Sequence, residues 1–164
     1  MIMVTDIVGS TPLIRRVGDR RFVELLKEHN RIVRTRLRQF DGVEFKHTGD
    51  GIAAWFLDPS AAVECALRIE DDLERSNSGR TDPLHIRVGM SAGEVVDDEG
   101  DLYGIAVVTA FRICDHARDG RVLASSELRS LVTGERFGFV KIGDTNLKGF
   151  TQPLPVYAVA RTDS

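Results

Sequence analysis

The chain has 164 residues, 42% of them hydrophobic and 29% charged, with a formal net charge of −3 at pH 7. That length supplies one domain with its own core and is short for two. The composition is that of a folded chain, not a disordered one, and the acidic balance argues against a broad nucleic-acid surface. Cys65 and Cys114 stand far apart with no C-x-x-C pair, the pattern of small buried residues in a reducing compartment. No apolar run approaches the roughly 20 residues that span a bilayer, and a polar turn follows the first strand where a signal peptide would continue. The expectation is a cytoplasmic chain with no membrane contact from this segment. The first motif begins at Asp6, so residues 1–164 read as a single domain that is either complete or cut from a longer protein.

Residues 1–8 read as a strand, closed by Gly9-Ser10-Thr11-Pro12. Ser10 or Thr11 before Pro12 predicts a helix start, because proline lacks only an N–H that the first turn does not use. One long amphipathic helix follows, with Phe22, Leu25, Leu26, His29, Ile32, Val33 and Leu37 on a single stripe. Arg31, Arg34, Arg36 and Arg38 punctuate it as a solvated face. Residues 42–56 hold two strand-like runs around Asp50-Gly51, a hairpin signal that calls for positive φ at both turn residues.

Asp58-Pro59-Ser60 opens a second helix carrying Ala62, Cys65, Ala66, Ile69 and Leu73. A loop over 76–83 leads to a strand over 84–96, bent or broken at Gly93, and then to an acidic loop. Residues 104–117 predict a third helix, 120–125 a strand, and 126–133 a short helix. FGFVKIG and LPVYAVA make a closing strand pair. This order predicts an α+β fold with a ferredoxin-like βαββαβ core and an additional C-terminal helix and strands, the antiparallel sheet covered by helices on one face.

Asp6 ends the first strand, beside a turn whose backbone N–H groups form a helix start. It reads either as a capping aspartate or as a carboxylate next to a phosphate-friendly turn, the combination a Mg²⁺-nucleotide uses. Asp50 at the hairpin tip is by itself an ordinary turn residue. Together they say more, because a βαββ unit pairs the first strand with the hairpin, and two carboxylates brought together repel unless a cation lies between them. Lys46 and Asp101 read singly as solvated charges. Arg112 lies one turn after Val108 on the third helix and can either clamp a phosphate or make a surface ion pair. Lys148 is by default a hairpin lysine. His29, His47, His85 and His116 show no metal-ligand spacing.

In combination these residues carry a resemblance. Thr5-Asp6-Ile7-Val8-Gly9-Ser10-Thr11, Lys46-His47-Thr48-Gly49-Asp50-Gly51 and Asp101-Leu102-Tyr103-Gly104 with Arg112 fall in order over residues 4–160 and resemble the class III adenylate and guanylate cyclases. The bacterial, actinobacterial-like subgroup is the nearest, through the Asp-Ile-Val-Gly-Ser-Thr turn and Leu147-Lys148-Gly149. The resemblance implies two divalent cations, Mg²⁺ or Mn²⁺, held by Asp6 and Asp50 with the Ile7 carbonyl. One would polarise the ribose 3′-hydroxyl of ATP and the other would neutralise the triphosphate, giving 3′,5′-cyclic AMP and pyrophosphate. It also implies base recognition by Lys46 and Asp101, transition-state stabilisation by Arg112, and polyphosphate contacts from Lys148 and the Gly9, Ser10 and Thr11 turn. Finally it implies a homodimer in which each site takes its cation ligands from one subunit and its base and transition-state residues from the other. One position departs: family members often carry asparagine where Val108 stands, so the alternative is a weak or inactive cyclase-homology module that binds nucleotide or regulates a partner.

Overall fold

A computed structural model describes residues 1–118 and 120–162. Strand β1 (Ile2–Ile7) is apolar at consecutive positions, so both of its faces need cover. After it come helices α1 (Ser10–Val17) and α2 (Asp19–Gln39), the hairpin β2 (Val43–His47) and β3 (Gly51–Trp55), and helix α3 (Pro59–Asn77). Next are strand β4 (Ile86–Ser91), the small hairpin β5 (Val96–Asp98) and β6 (Asp101–Tyr103), and helix α4 (Ile105–His116). Strand β7 (Val122–Ser125), helix α5 (Ser126–Leu131) and strands β8 (Phe137–Thr145) and β9 (Leu154–Arg161) complete the chain. Seven strands form one sheet in the order β2-β3-β1-β4-β7-β9-β8, and β5-β6 stands apart. The first four of these have the ferredoxin-like order, and β7, β9 and β8 extend it through a parallel β4–β7 pairing.

The predicted α+β class holds, and several local expectations change. Helices cover both faces of the sheet: Met3, Ile7, Val88 and Met90 pack with Leu25, Val33 and Ile69 of α2 and α3, while Ile2, Val4 and Ala53 pack with Ala106, Val107 and Ala110 of α4. The expected long helix is two, broken at Gly18 with φ 82°, and the residue before α1 is Gly9 (φ 61°), not Ser10 or Thr11. The hairpin turn spans Thr48–Asp50 and takes its positive φ at Gly49 alone, while Gly51 already pairs within β3. The loop expected near 97–101 is the tip of the β5–β6 hairpin.

Other signals hold in the structure. Asp58 caps α3 by accepting from the Ser60 and Ala61 N–H groups at 2.7 and 3.0 Å. Two of the arginines expected on a solvated face are instead ties between elements. Arg34 grips Glu44 of β2 in a two-pronged pair at 2.7 and 2.8 Å, and Arg36 grips Asp72 of α3 at 2.6 and 2.8 Å. Burial pushes the Cys65 and Cys114 thiols up to about 12, in keeping with small buried residues.

Candidate active site

The sheet order puts the hairpin tip beside the end of β1, because β3 lies next to β1 and Asp6 pairs with Gly51. Asp6 is half-buried on the α4 side, where its carboxyl group meets that of Asp50. Burial raises the Asp6 pKa, Arg87 opposes the rise, and the Asp50 charge adds to it. Arg87 sits directly across on β4 and donates Nε and Nη2 to Asp6 Oδ2 at 2.9 and 2.5 Å. Burial disfavours the Arg87 charge, yet its bond to Asp6 leaves the pKa raised.

The layer beneath is fixed as well. Thr5, fully buried, accepts from the Ile52 N–H at 3.2 Å through its hydroxyl, which also meets buried His29 Nε2 at 3.5 Å. Burial keeps the pKa of His29 below its ordinary value. Thus β1, β3 and α2 are locked one residue behind Asp6. Beyond Asp6 the chain turns at Gly9 into α1, whose first turn at Ser10 and Thr11 carries no side-chain cap. Such uncapped N–H groups suit an anion. Ile7 is buried, its backbone paired with Ile86.

A second group gathers where β6 and α4 approach β2. The β2–β3 ladder shifts register between Glu44 and Lys46, a bulge that re-aims the lysine. Lys46 Nζ reaches Asp101 Oδ2 at 2.7 Å, and this bond holds the Asp101 carboxyl below its usual pKa. Next to the pair lies a cavity of about 400 Å³ lined by Lys46, Tyr103, Gly104, Val108, Phe111 and Arg112, with Asp115 at its rim. Arg112 Nη1 stands 3.6 Å from Asp115 Oδ2, and Arg112 Nε is buried without a hydrogen-bond partner. Val108, 43% exposed, presents only methyl groups at the asparagine position.

The structure thus brings Asp6 to Asp50, and Lys46 to Asp101 near Arg112. Lys148 stays apart, exposed in the β8–β9 connection beside buried Leu147, which packs with Ile113 of α4 and with Ala117 just after it. Sequence reasoning misses Arg87 and Asp115. A lone arginine inside the apolar run Ile86-Arg87-Val88 is the available signal, since such a charge needs a partner. A larger surface cavity, about 770 Å³, lies elsewhere, between α3 and the end of β9. It is the poorer ligand site, because its Glu64, Arg68, Arg136 and Arg161 are already ion-paired with one another.

As for a metal, the donor set is two adjacent carboxylates beside an uncapped helix start. That suits a hard cation which takes few protein oxygens and completes its shell with phosphates and water. Arg112, whose Nε is buried without a partner, lines the cavity beside Lys46, and its guanidinium suits an oxyanion.

Comparison with known proteins bears on the fold and the family. "Putative adenylate cyclase 3" of Rhizobium meliloti is 27% identical over 165 residues, covering 99% of this chain and 28% of that protein. The chain therefore spans less than two thirds of that relative's length. The crystal structure of the adenylyl cyclase CyaB from P. aeruginosa superposes with a TM-score of 0.85 at 22% identity, covering 99% of this chain and 93% of the other. An adenylate/guanylate cyclase/hydrolase from Silicibacter pomeroyi superposes with a TM-score of 0.82 at 25% identity, covering 99% and 96%. The profile of the adenylate and guanylate cyclase catalytic domain matches residues 1–161, and over that span the chain belongs to this family.

Proposed function

We propose that this chain is an adenylate cyclase that closes ATP to 3′,5′-cyclic AMP and pyrophosphate, with sites shared between two copies. The observation that carries the reading is the pairing of Asp6 with Gly51, which sets the Asp6 and Asp50 carboxyl groups together at the end of β1, a crowding of charge that Arg87 offsets in part and a divalent cation would relieve further. Asp6 and Asp50, with the Ile7 carbonyl, would hold the cations. When bound, these ions would supply polarisation of the ribose 3′-hydroxyl and charge neutralisation along the triphosphate. The N–H groups at Gly9, Ser10 and Thr11 would take phosphate oxygens, and Lys148 would approach the polyphosphate from its exposed loop.

The other group reads the base and meets the transition state. Lys46 can only donate and Asp101 can only accept, which suits adenine N1 and its 6-amino group. Arg112, which lines the cavity beside Lys46, would stabilise the charge that builds on the transferred phosphorus oxygens through its guanidinium. Dimerisation has support in an exposed apolar set around this second group: Val96, Tyr103, Ile105 and Val108 are 66, 53, 67 and 43% exposed. Val108 also favours a second reading, a slow or silent cyclase module, because a polar contact to the ribose is missing there.

Incubation with Mn²⁺ and either ATP or GTP, followed by chromatography of the products, tests the proposal. Cyclic AMP from ATP is expected, lost in Asp50→Asn with the fold intact by circular dichroism. Undiminished activity in that variant, or cyclic GMP as the main product, overturns it.

A further inference from the structure

The two groups just described are joined inside one chain by charged side chains. Arg87 holds Asp6 Oδ2 through Nε and Nη2, and on its other side turns to α4. There Nη1 donates to the Asp115 backbone carbonyl at 2.9 Å, and Nη2 stands 3.5 Å from Asp115 Oδ1. The second oxygen of the same carboxylate, Oδ2, lies 3.6 Å from Arg112 Nη1. Charges therefore alternate along Asp6, Arg87, Asp115 and Arg112, leading from the proposed cation site to the proposed transition-state arginine.

The links are unequal. The Asp6–Arg87 pair is short and two-pronged, whereas both side-chain contacts of Asp115 exceed hydrogen-bond length. Asp115 is 60% exposed and can swing, and among the described residues it is the one carboxylate paired with Arg112. An exposed aspartate with two long contacts is usually worth little to stability. Its position between two arginines that serve different sites gives it another use.

We infer that Asp115 is a positioning residue that couples the two half-sites carried by one subunit. A cation at Asp6 competes with Arg87 for that carboxylate, Arg87 leans toward Asp115, and the Asp115 hold on Arg112 changes. In a dimer of the proposed kind those two half-sites belong to different catalytic centres, so loading one centre would reset the arginine of the other. The inference rests on the shared-site reading, and it is a coupling between distinct sites in the thermodynamic sense.

The test uses the full chain labelled with ¹⁵N-arginine, titrated with Mg²⁺ without nucleotide, while the Nε–Hε signals of Arg87 and Arg112 are followed. In the unmodified protein both should move with one apparent affinity. In Asp115→Asn the Arg87 response should persist and the Arg112 response should shrink about fivefold or more, as for any broken link in a network. Asp115→Glu should restore it. An Arg112 signal that still follows Mg²⁺ in Asp115→Asn overturns the inference, as does one that never follows it while Arg87 does. If neither signal moves, the cation site itself fails and the coupling with it. Product formation by the unmodified protein judges the cyclase reading separately.

Discussion

Lys46 Nζ donates to Asp101 Oδ2 at 2.7 Å, so the two residues proposed to read the base are held side by side. The lysine ammonium has three N–H donors and the carboxylate accepts at both oxygens, so each can meet a base while the pair holds the other in place. Adenine offers an acceptor to the lysine and a donor to the carboxylate, whereas guanine opposes donor to donor and acceptor to acceptor. Each mismatched group costs about 1–3 kcal/mol, so ATP should be favoured at least tenfold in kcat/KM. Competition kinetics with both nucleotides check this. Equal kcat/KM values would mean that the pair is a surface tie. Lys46→Glu with Asp101→Cys should erode the preference.

Sites shared between copies give a sharper expectation. Asp50→Ala and Arg112→Ala homodimers should each be inactive. Mixed under conditions of subunit exchange, some heterodimers carry both lesions in one site and neither in the other, and activity should return in part. Demonstrated exchange without recovery would place each site within one chain.

Val108 invites a gain of function. If a polar contact at this position forms mainly in the transition state, Val108→Asn should raise kcat with little change in KM. A single donor of this kind is worth about 2.7–4 kcal/mol in comparable sites, which sets the upper bound of the gain. Steady-state kinetics decide. An unchanged or lower kcat means that another group already fills the role.

A pH prediction concerns Glu70 of α3, far from the candidate site. Burial, then the charges of Glu74 and Asp71, push its carboxyl up to about 8. A raised acid pKa means that the folded chain keeps a proton the unfolded chain releases. Stability contributed by that proton is fully present below about 4.5 and is lost as pH rises toward about 8. Glu70→Gln should therefore be more stable than the parent at pH 9, by on the order of 2–4 kcal/mol, and equal to it near pH 4.5. Chemical denaturation at the two pH values measures the difference, and a constant gap would show that the effect is packing.

Where the signals are local, the sequence is enough to read them. Asp6 and Asp50 each sit where a strand meets a turn, and the βαββ order alone predicts that they meet. The second helical layer escapes that reading although Ile2, Met3 and Val4 announce it, since a strand apolar on both faces is buried on both. The Gly18 break is hidden because the apolar stripe runs across it. Arg87 cannot be placed from sequence, for its partner lies 81 residues away and the β1–β4 register is a property of the assembled sheet. The hairpin is legible but its turn is not: Asp-Gly is a strong pattern, yet Gly49 supplies the positive φ one residue earlier.

The packing of α4 on β4 limits how the molecule can move. A Cβ at Gly89 would lie 2.3 Å from the Ala110 carbonyl oxygen and from the Cys114 nitrogen, so backbone meets backbone with no side chain between. Helices that slide in other proteins do so over compliant side chains, which shift by changing rotamer. At Gly89 there is no such lubricant, and α4, which carries Val108, Arg112 and Asp115, is pinned to the sheet at that point. Sliding of α4 along β4 is therefore the least available motion, and Arg112 would approach a substrate by moving its side chain or by movement of the sheet and helix together.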